Sequence, residues 1–192
     1  MIVADSDERR TEQVADNLTA AGREADPMTV DVATEGEVAA MIDAVLERHG
    51  QLDAIVCTSE IESKASIVDC TDEEWDAAVA TALKGPFLCI KHGVPALAKG
   101  GGGAIVIVSP ESAGPIGQVP AVLDVAGGAL ARMAIRASAD YATDHVRVNV
   151  VVPDDGSEAW EDVCDAVSFL VSPTPSSLSG SVLKLRSEPR GR

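Results

Sequence analysis

The run A-I-V-I-V at Ala104 to Val108, entered from the glycine loop Gly100 to Gly103, decides the fold. It shows no alternation of apolar and polar residues, so both faces of the strand it predicts must be covered. Strands of that kind sit at the centre of parallel sheets flanked by helices. The run V-R-V-N-V-V-V at Val146 to Val152 is a second such strand, and residues 121 to 142 between them carry a helical pattern. Together they read as a β-α-β unit.

Working outward, the same alternation continues on both sides. Ile2 to Ala4 predicts a short strand ending at Asp5, and residues 7 to 22 place Val14, Leu18 and Ala21 on one helical face before Gly22 stops the helix. Met28 to Val32 predicts a strand; residues 34 to 48 repeat an apolar stripe at Val38, Met41, Ile42 and Val45 up to His49 and Gly50; Leu52 to Cys57 predicts a third strand. A long helix from about Asp72 to Leu97 opens on a capping box at Thr71 and should bend at Pro86. Beyond the second central strand come a helix over Ala159 to Val171, a strand over Ser181 to Leu185 and a polar tail from Arg186 to Arg192. No repeat or linker divides residues 1–192, which read as a single α/β domain.

The formal charge of −16, from 31 acidic and 15 basic residues, opposes binding to nucleic acid or to an anionic membrane and reads as a solvated surface. Cys57, Cys70, Cys89 and Cys164 lack any C-x-x-C spacing and are expected to be buried thiols of a cytoplasmic protein. The N-terminus runs straight into a strand, without the pattern of a leader or a membrane span. His49, His92 and His145 show no metal-ligand spacing, so no metal site is expected; His49 falls in a last helical turn, where it complements the helix dipole.

Several segments together resemble the short-chain dehydrogenase/reductase family: V-A-D at Val3 to Asp5, V-D-V at Val30 to Val32, G-Q-L-D-A-I-V at Gly50 to Val56, and L-K-G-P-F-L-C at Leu83 to Cys89. The pattern continues with G-G-A-I-V-I-V-S at Gly102 to Ser109, G-A-L at Gly128 to Leu130, V-R-V-N-V-V-V-P at Val146 to Pro153, D-A-V-S-F-L-V-S at Asp165 to Ser172 and L-S-G-S-V-L at Leu178 to Leu183. The resemblance implies a Rossmann-like, doubly wound, mostly parallel sheet. Met1 falls at the start of the family's second strand, so the first β-α unit, with its glycine-rich turn for the cofactor pyrophosphate, is expected to be lacking.

The same resemblance maps the family's catalytic asparagine, serine, tyrosine and lysine onto Ala82, Pro110, Leu123 and Gly127, with Ser109 and Ser112 close to the serine position. None of the four can exchange the proton that accompanies hydride transfer. The family's Asn-Asn-Ala-Gly pocket segment falls on Cys57, Thr58, Ser59 and Glu60, where a carboxylate would oppose the phosphates of NAD. After Pro153 the chain passes through Asp154, Asp155 and Gly156 almost directly to Trp160, without the family's substrate lid. Asp5, Asp31 and Val32 match remnants of the adenosine pocket. No catalytic residue and no cofactor are therefore expected.

The family's two long helices pair between subunits, and here they implicate Phe87, Ile90 and Val94 on one and Leu130, Met133 and Ala137 on the other. The expected role is that of a non-catalytic subunit joined through these helices to a full-length catalytic relative, or to itself. Two alternatives stand beside it: a cofactor-independent cyclase, isomerase or dehydratase using Glu60, Glu111, Ser112 and Asp124, and a homomeric scaffold or regulator. Gly127 and Gly128, costly inside a helix at about 1 kcal/mol each relative to alanine, point to a close helix-helix approach.

Overall fold

The structure, a computed structural model, describes residues 1–58, 65–109, 120–153, 159–173 and 177–185. Strands and helices alternate along the chain: β1 (Ile2–Asp5), α1 (Glu8–Ala20), β2 (Asp26–Thr29), α2 (Glu35–His49), β3 (Ala54–Thr58), α3 (Asp72–Val79), α4 (Gly85–Lys99), β4 (Gly103–Val108), α5 (Ala121–Asp140), β5 (Val146–Val152), α6 (Ala159–Val171) and β6 (Val182–Lys184). All pairings are parallel, but the strands form two sheets, β1-β2 and β3-β4-β5-β6. The α/β, Rossmann-like class is as expected, with the sheet divided between β1 and β3.

The centre of the larger sheet is β4 against β5. Every residue of β5 is buried, as is every residue of β4 after Gly103. One face of β5 presents Val146, Val148, Val150 and Val152 to a cluster with Ile90, Val94 and Leu97 of α4 and Leu130, Ala134 and Ala137 of α5. The other face carries Val151, which packs with Val106 and Leu170 beneath α6. Arg147 and Asn149 share that second face by the two-residue period of a strand. Both are buried, and both are answered by backbone: Arg147 donates to the carbonyls of Leu170 (2.8 Å) and Ser172 (2.9 Å), ending α6. Asn149 donates to the Leu178 carbonyl (3.0 Å) and accepts from the Ser181 N–H (3.0 Å), which sets the chain on course for β6. Burial pulls the Arg147 guanidinium below its usual range.

Local signals act as expected at several helix ends. The Thr71 hydroxyl accepts from the Glu74 N–H (3.2 Å) while the Glu74 carboxylate accepts from the Thr71 N–H (2.9 Å), closing the capping box. Gly50 ends α2 in the left-handed region at φ 77°. Gly102, at φ 117°, enters β4 where a Cβ would lie 2.6 Å from the His145 carbonyl oxygen.

Other details differ from the sequence reading. The long helix does not simply bend at Pro86. It is broken by a π-helical turn at Ala80–Lys84, closed by the Gly85 N–H on the Ala80 carbonyl. Pro86 has no N–H to offer the Ala82 carbonyl, so the turn widens just before it. On α1, Thr11 and Ala15 are buried while Val14 is 39% exposed, because a two-stranded sheet is too narrow to cover the whole apolar stripe. β2 begins at Asp26 rather than Met28, since its register is set by pairing Ile2 with Asp26.

The β1-α1-β2-α2 half joins the rest through α2 and α4. Val38, Leu88 and Cys89 form a small cluster there, bordered by Val32, Met41, Ile55 and Cys57. At its rim, Glu35 bonds both Lys91 Nζ (2.5 Å) and His92 Nε2 (3.2 Å). The hydrogen bond from Lys91, then that from His92, holds the Glu35 carboxyl below its usual range.

Two outcomes follow from these contacts. Asn149→Ala strands the Ser181 N–H and the Leu178 carbonyl in the interior, and urea unfolding should report a loss of about 1–3 kcal/mol. For Glu35, a depressed folded pKa means that its stabilisation is present above the unfolded carboxyl pKa and fades as the pH falls through the folded one. The gap between the urea midpoints of the wild type and Glu35→Gln should therefore shrink from neutral pH through the carboxylate range.

Candidate functional site

The facing edges of β1 and β3 are each paired on one side only, and an apolar cleft of about 180 Å³ opens between the two sheets. Ile2 and Ala4 of β1 form one wall, Ile55, Val56 and Cys57 of β3 the other, and Ile42 and Val45 of α2 with Pro86 and Cys89 of α4 contribute to the lining. Val56 is 45% exposed although it lies in the middle of a strand. Gly85 belongs to this arrangement: a Cβ there would meet the Val32 Cγ2 at 2.8 Å, so the glycine lets α4 begin close beneath Val32.

The positions that the family resemblance assigns to catalysis lie to one side, where α3 and the π turn pack on α5. Ala82 is fully buried inside the π turn. Leu123 is 5% exposed and packs with Ala78, Val79 and Val122. Gly127 is buried one helical turn further along α5. Ala82, Leu123 and Gly127 thus all lie buried on the elements that pack together there, and none carries a titratable group. Pro110, Glu111 and Ser112 lie outside the described residues, as does Glu60. Ser109 is buried at the end of β4, its N–H bonded to the Val151 carbonyl at 2.8 Å. The acidic cluster is therefore represented only by Asp124, which is exposed on α5.

The expected remnants of an adenosine pocket have local partners. Asp5 accepts from the Asp7 N–H (2.9 Å) and pairs with Arg10 at 3.6 Å. Asp31 accepts from the Ala33 N–H (2.9 Å) and from the Thr34 hydroxyl (3.1 Å). Each acid turns the chain at the end of a strand. The described residues lining the cleft include no Lys, Arg or His, and the N-terminus of α1 is capped by the Asp7 carboxylate, which accepts from the Arg9 N–H. A pyrophosphate placed there would be desolvated without a cation or a free row of N–H donors. The described residues do not fit a dinucleotide. No group of three His, Cys, Asp or Glu side chains gathers as for a metal ion among the described residues, and no described helix is long and apolar enough to cross a membrane.

The subunit-contact set requires a larger correction. Ile90, Val94, Leu130 and Ala137 are 6%, 5%, 0% and 5% exposed, because they belong to the chain's own core between α4, α5 and the sheet. Met133 is partly buried beside them. Of the six, Phe87 alone is openly exposed, at 47%. The outward face of α5 instead shows Val125 and Ile135, 51% and 40% exposed, on either side of the exposed Gly128. A Cβ at Gly128 would meet nothing within 4 Å, so no close helix-helix approach within the chain accounts for it.

Sequence reasoning missed one constellation. Cys57 near the end of β3 and Cys89 on α4 both line the cleft and border one apolar cluster. Their separation in the chain carries no motif, and only the packing of α4 on β3 brings them together.

Comparison with known proteins agrees with this architecture. A family model described as Enoyl-(Acyl carrier protein) reductase matches residues 1–155. An uncharacterized oxidoreductase of Thermotoga maritima is 33% identical over 178 residues, which are 92% of this chain and 68% of that protein. The 3-oxoacyl-acyl-carrier-protein reductase FabG of Staphylococcus aureus is 30% identical over 161 residues, 83% of this chain and 63% of that protein, so the chain spans about two thirds of the length of these relatives. A solved short-chain dehydrogenase from Mycobacterium smegmatis superposes with a TM-score of 0.88 at 24% identity, over 97% of this chain and 80% of its own, which speaks for the fold. The family match, the oxidoreductase relatives and the parallel α/β architecture agree that the chain belongs to the short-chain dehydrogenase/reductase family.

Proposed function

We propose that this chain is a non-catalytic member of its family that associates with a catalytically complete short-chain dehydrogenase/reductase in a heteromeric, NAD(P)-dependent oxidoreductase. The observation that carries the reading is Leu123. At the position the resemblance gives to the proton-donating tyrosine, the chain has a leucine sealed among Ala78, Val79 and Val122. The adjacent positions Ala82 and Gly127 are buried and equally inert. A hydride acceptor needs a proton donor at its oxygen, and none of Ala82, Leu123 and Gly127 can supply one. The cleft, whose described lining has no cation, supports the same reading, in which a dinucleotide binds in the partner.

The association surface is the outward face of α5 around Val125, Gly128 and Ile135, with Phe87 of α4 exposed as well. A bare glycine between two exposed β-branched residues lets a second helix come close, and apolar side chains at the centre of such a contact carry most of its energy. The subunit would then stabilise or position its catalytic partner.

The test is co-expression with a complete reductase of the same family encoded nearby. The pair should co-elute and transfer hydride, while this chain alone should neither bind NAD(H) in calorimetry nor turn over. Val125→Asp together with Ile135→Asp should weaken the association about tenfold or more. Hydride transfer by the isolated chain would overturn the reading. A self-sufficient homodimer that ignores every reductase offered would assign it to a homomeric scaffold instead.

A further inference from the structure

We infer that the cleft between β1 and β3 is a strand-acceptor site: it takes an extended, uncharged segment of another polypeptide, which pairs with both edges at once. This surface is distinct from the outward face of α5, and its role does not depend on assembly with a reductase. The direction of the backbone groups carries the inference. The Asp26 and Val30 N–H groups bond the Met1 and Asp5 carbonyls at 2.9 Å, so alternate residues of β1 face β2. By the two-residue period of a strand, Ile2 and Ala4 turn their own N–H and C=O groups to the other edge, and both residues line the cleft. On β3 the Ala104 N–H bonds the Asp53 carbonyl at 3.1 Å, which turns the backbone groups of Ile55 and Cys57 toward β4. Ala54, Val56 and Thr58 therefore direct theirs away from β4, and all three line the same cleft. No strand hydrogen bond joins the two sheets, and no described residue takes up these groups.

The lining selects the occupant. Its described side chains carry no charge, and only Thr58 and Thr81 bring hydroxyls. The polar demand of the cleft is thus two rows of main-chain donors and acceptors spaced as in a sheet. A polypeptide backbone satisfies that demand, and a lipid chain or a compact apolar molecule does not. β2, α2 and β3 follow one another as a crossover unit, so β3 runs in the direction of β2 and hence of β1. One strand lying between them can pair parallel with both, as β4 does between β3 and β5. Val56 marks the missing neighbour: a β-branched residue in the middle of a strand, it is 45% exposed, whereas Val106, its partner on β4, is fully buried. Apolar side chains suit the site, because Ile42 and Val45 of α2 and Pro86 of α4 line it as well.

The probe is a fluorophore-labelled peptide with the β4 sequence Ala104 to Val108 between pairs of lysines, since β4 is uncharged and already pairs with the other edge of β3. Titrated with the chain, it should rise in anisotropy, and exchange of the Ala4 and Val56 amide hydrogens should slow. Two N-methylated versions, one methylated at both isoleucines and the other at the alanine and both valines, keep its charge and side chains. Each lacks the donors for one edge, so each should bind about tenfold more weakly or worse. Ala4→Pro and Val56→Pro remove one outward N–H each and spare the ladders to β2 and β4, as proline does at a strand edge. Either should weaken binding of the parent peptide to a similar degree while the urea midpoint stays near that of the wild type. The methylated peptides are titrated with the wild-type chain, so the result does not depend on a variant folding. Binding that tolerates both methylation patterns would mean pairing with one edge or none and would overturn the inference, as would a parent peptide that does not bind. So would a wild-type dimer that Val56→Pro dissolves, which would give the cleft to edge-to-edge pairing of two copies of this chain.

Discussion

Two adjacent strands buried on both faces, β4 and β5, impose most of what surrounds them. A parallel pair of this kind has no solvent face, so helices must cover both sides: α4 and α5 on one, α6 on the other. Even the two polar side chains on β5 obey this demand. Arg147 and Asn149 are buried, and each is used to end or direct a segment that would otherwise leave carbonyls unpaired. The motif V-R-V-N-V, part of the family resemblance, thus has a structural account of its own.

The second determining feature is the division of the sheet. β1 and β2 do not close onto β3, and the halves are held together by the packing of α2 on α4 and by Glu35 against Lys91 and His92. The cleft left between them is apolar and, among the described residues, has no cation in its wall, which makes it a poor seat for phosphates. Gly85, which closes the π turn, lets α4 begin close beneath Val32 at this cleft.

Legibility in the sequence follows the strength of the local pattern. Val146–Val152 and Ala159–Val171 are readable to the residue because a β-branched run and an amphipathic stripe mark their limits. β2 is not, since its register depends on β1, which is distant in the chain. Ala82, Leu123 and Gly127 are pointed to by the family resemblance alone, and all three are buried. The contact helices mislead for a definite reason. A helical stripe such as Ile90, Val94 and Leu97 looks the same whether it faces its own sheet or another subunit, and only burial separates Leu130 from Val125. That Cys57 and Cys89 line one cleft lies beyond reach because nothing local announces that a strand end and a helix so far apart in the chain will meet there.

The divided sheet also bears on how the molecule comes apart. Strand hydrogen bonds are the usual means by which one part of an α/β fold transmits its stability to another, and among the described residues none crosses from β1 to β3. Residues 1–50 are therefore coupled to the remainder by side-chain packing and ion pairs, which favours their opening as a separate cooperative unit ahead of global unfolding. In that partly open form the edge of β3 would be bare along its length, so the slow exchange of amides in β4 and β5 would coexist with a readily uncovered neighbour.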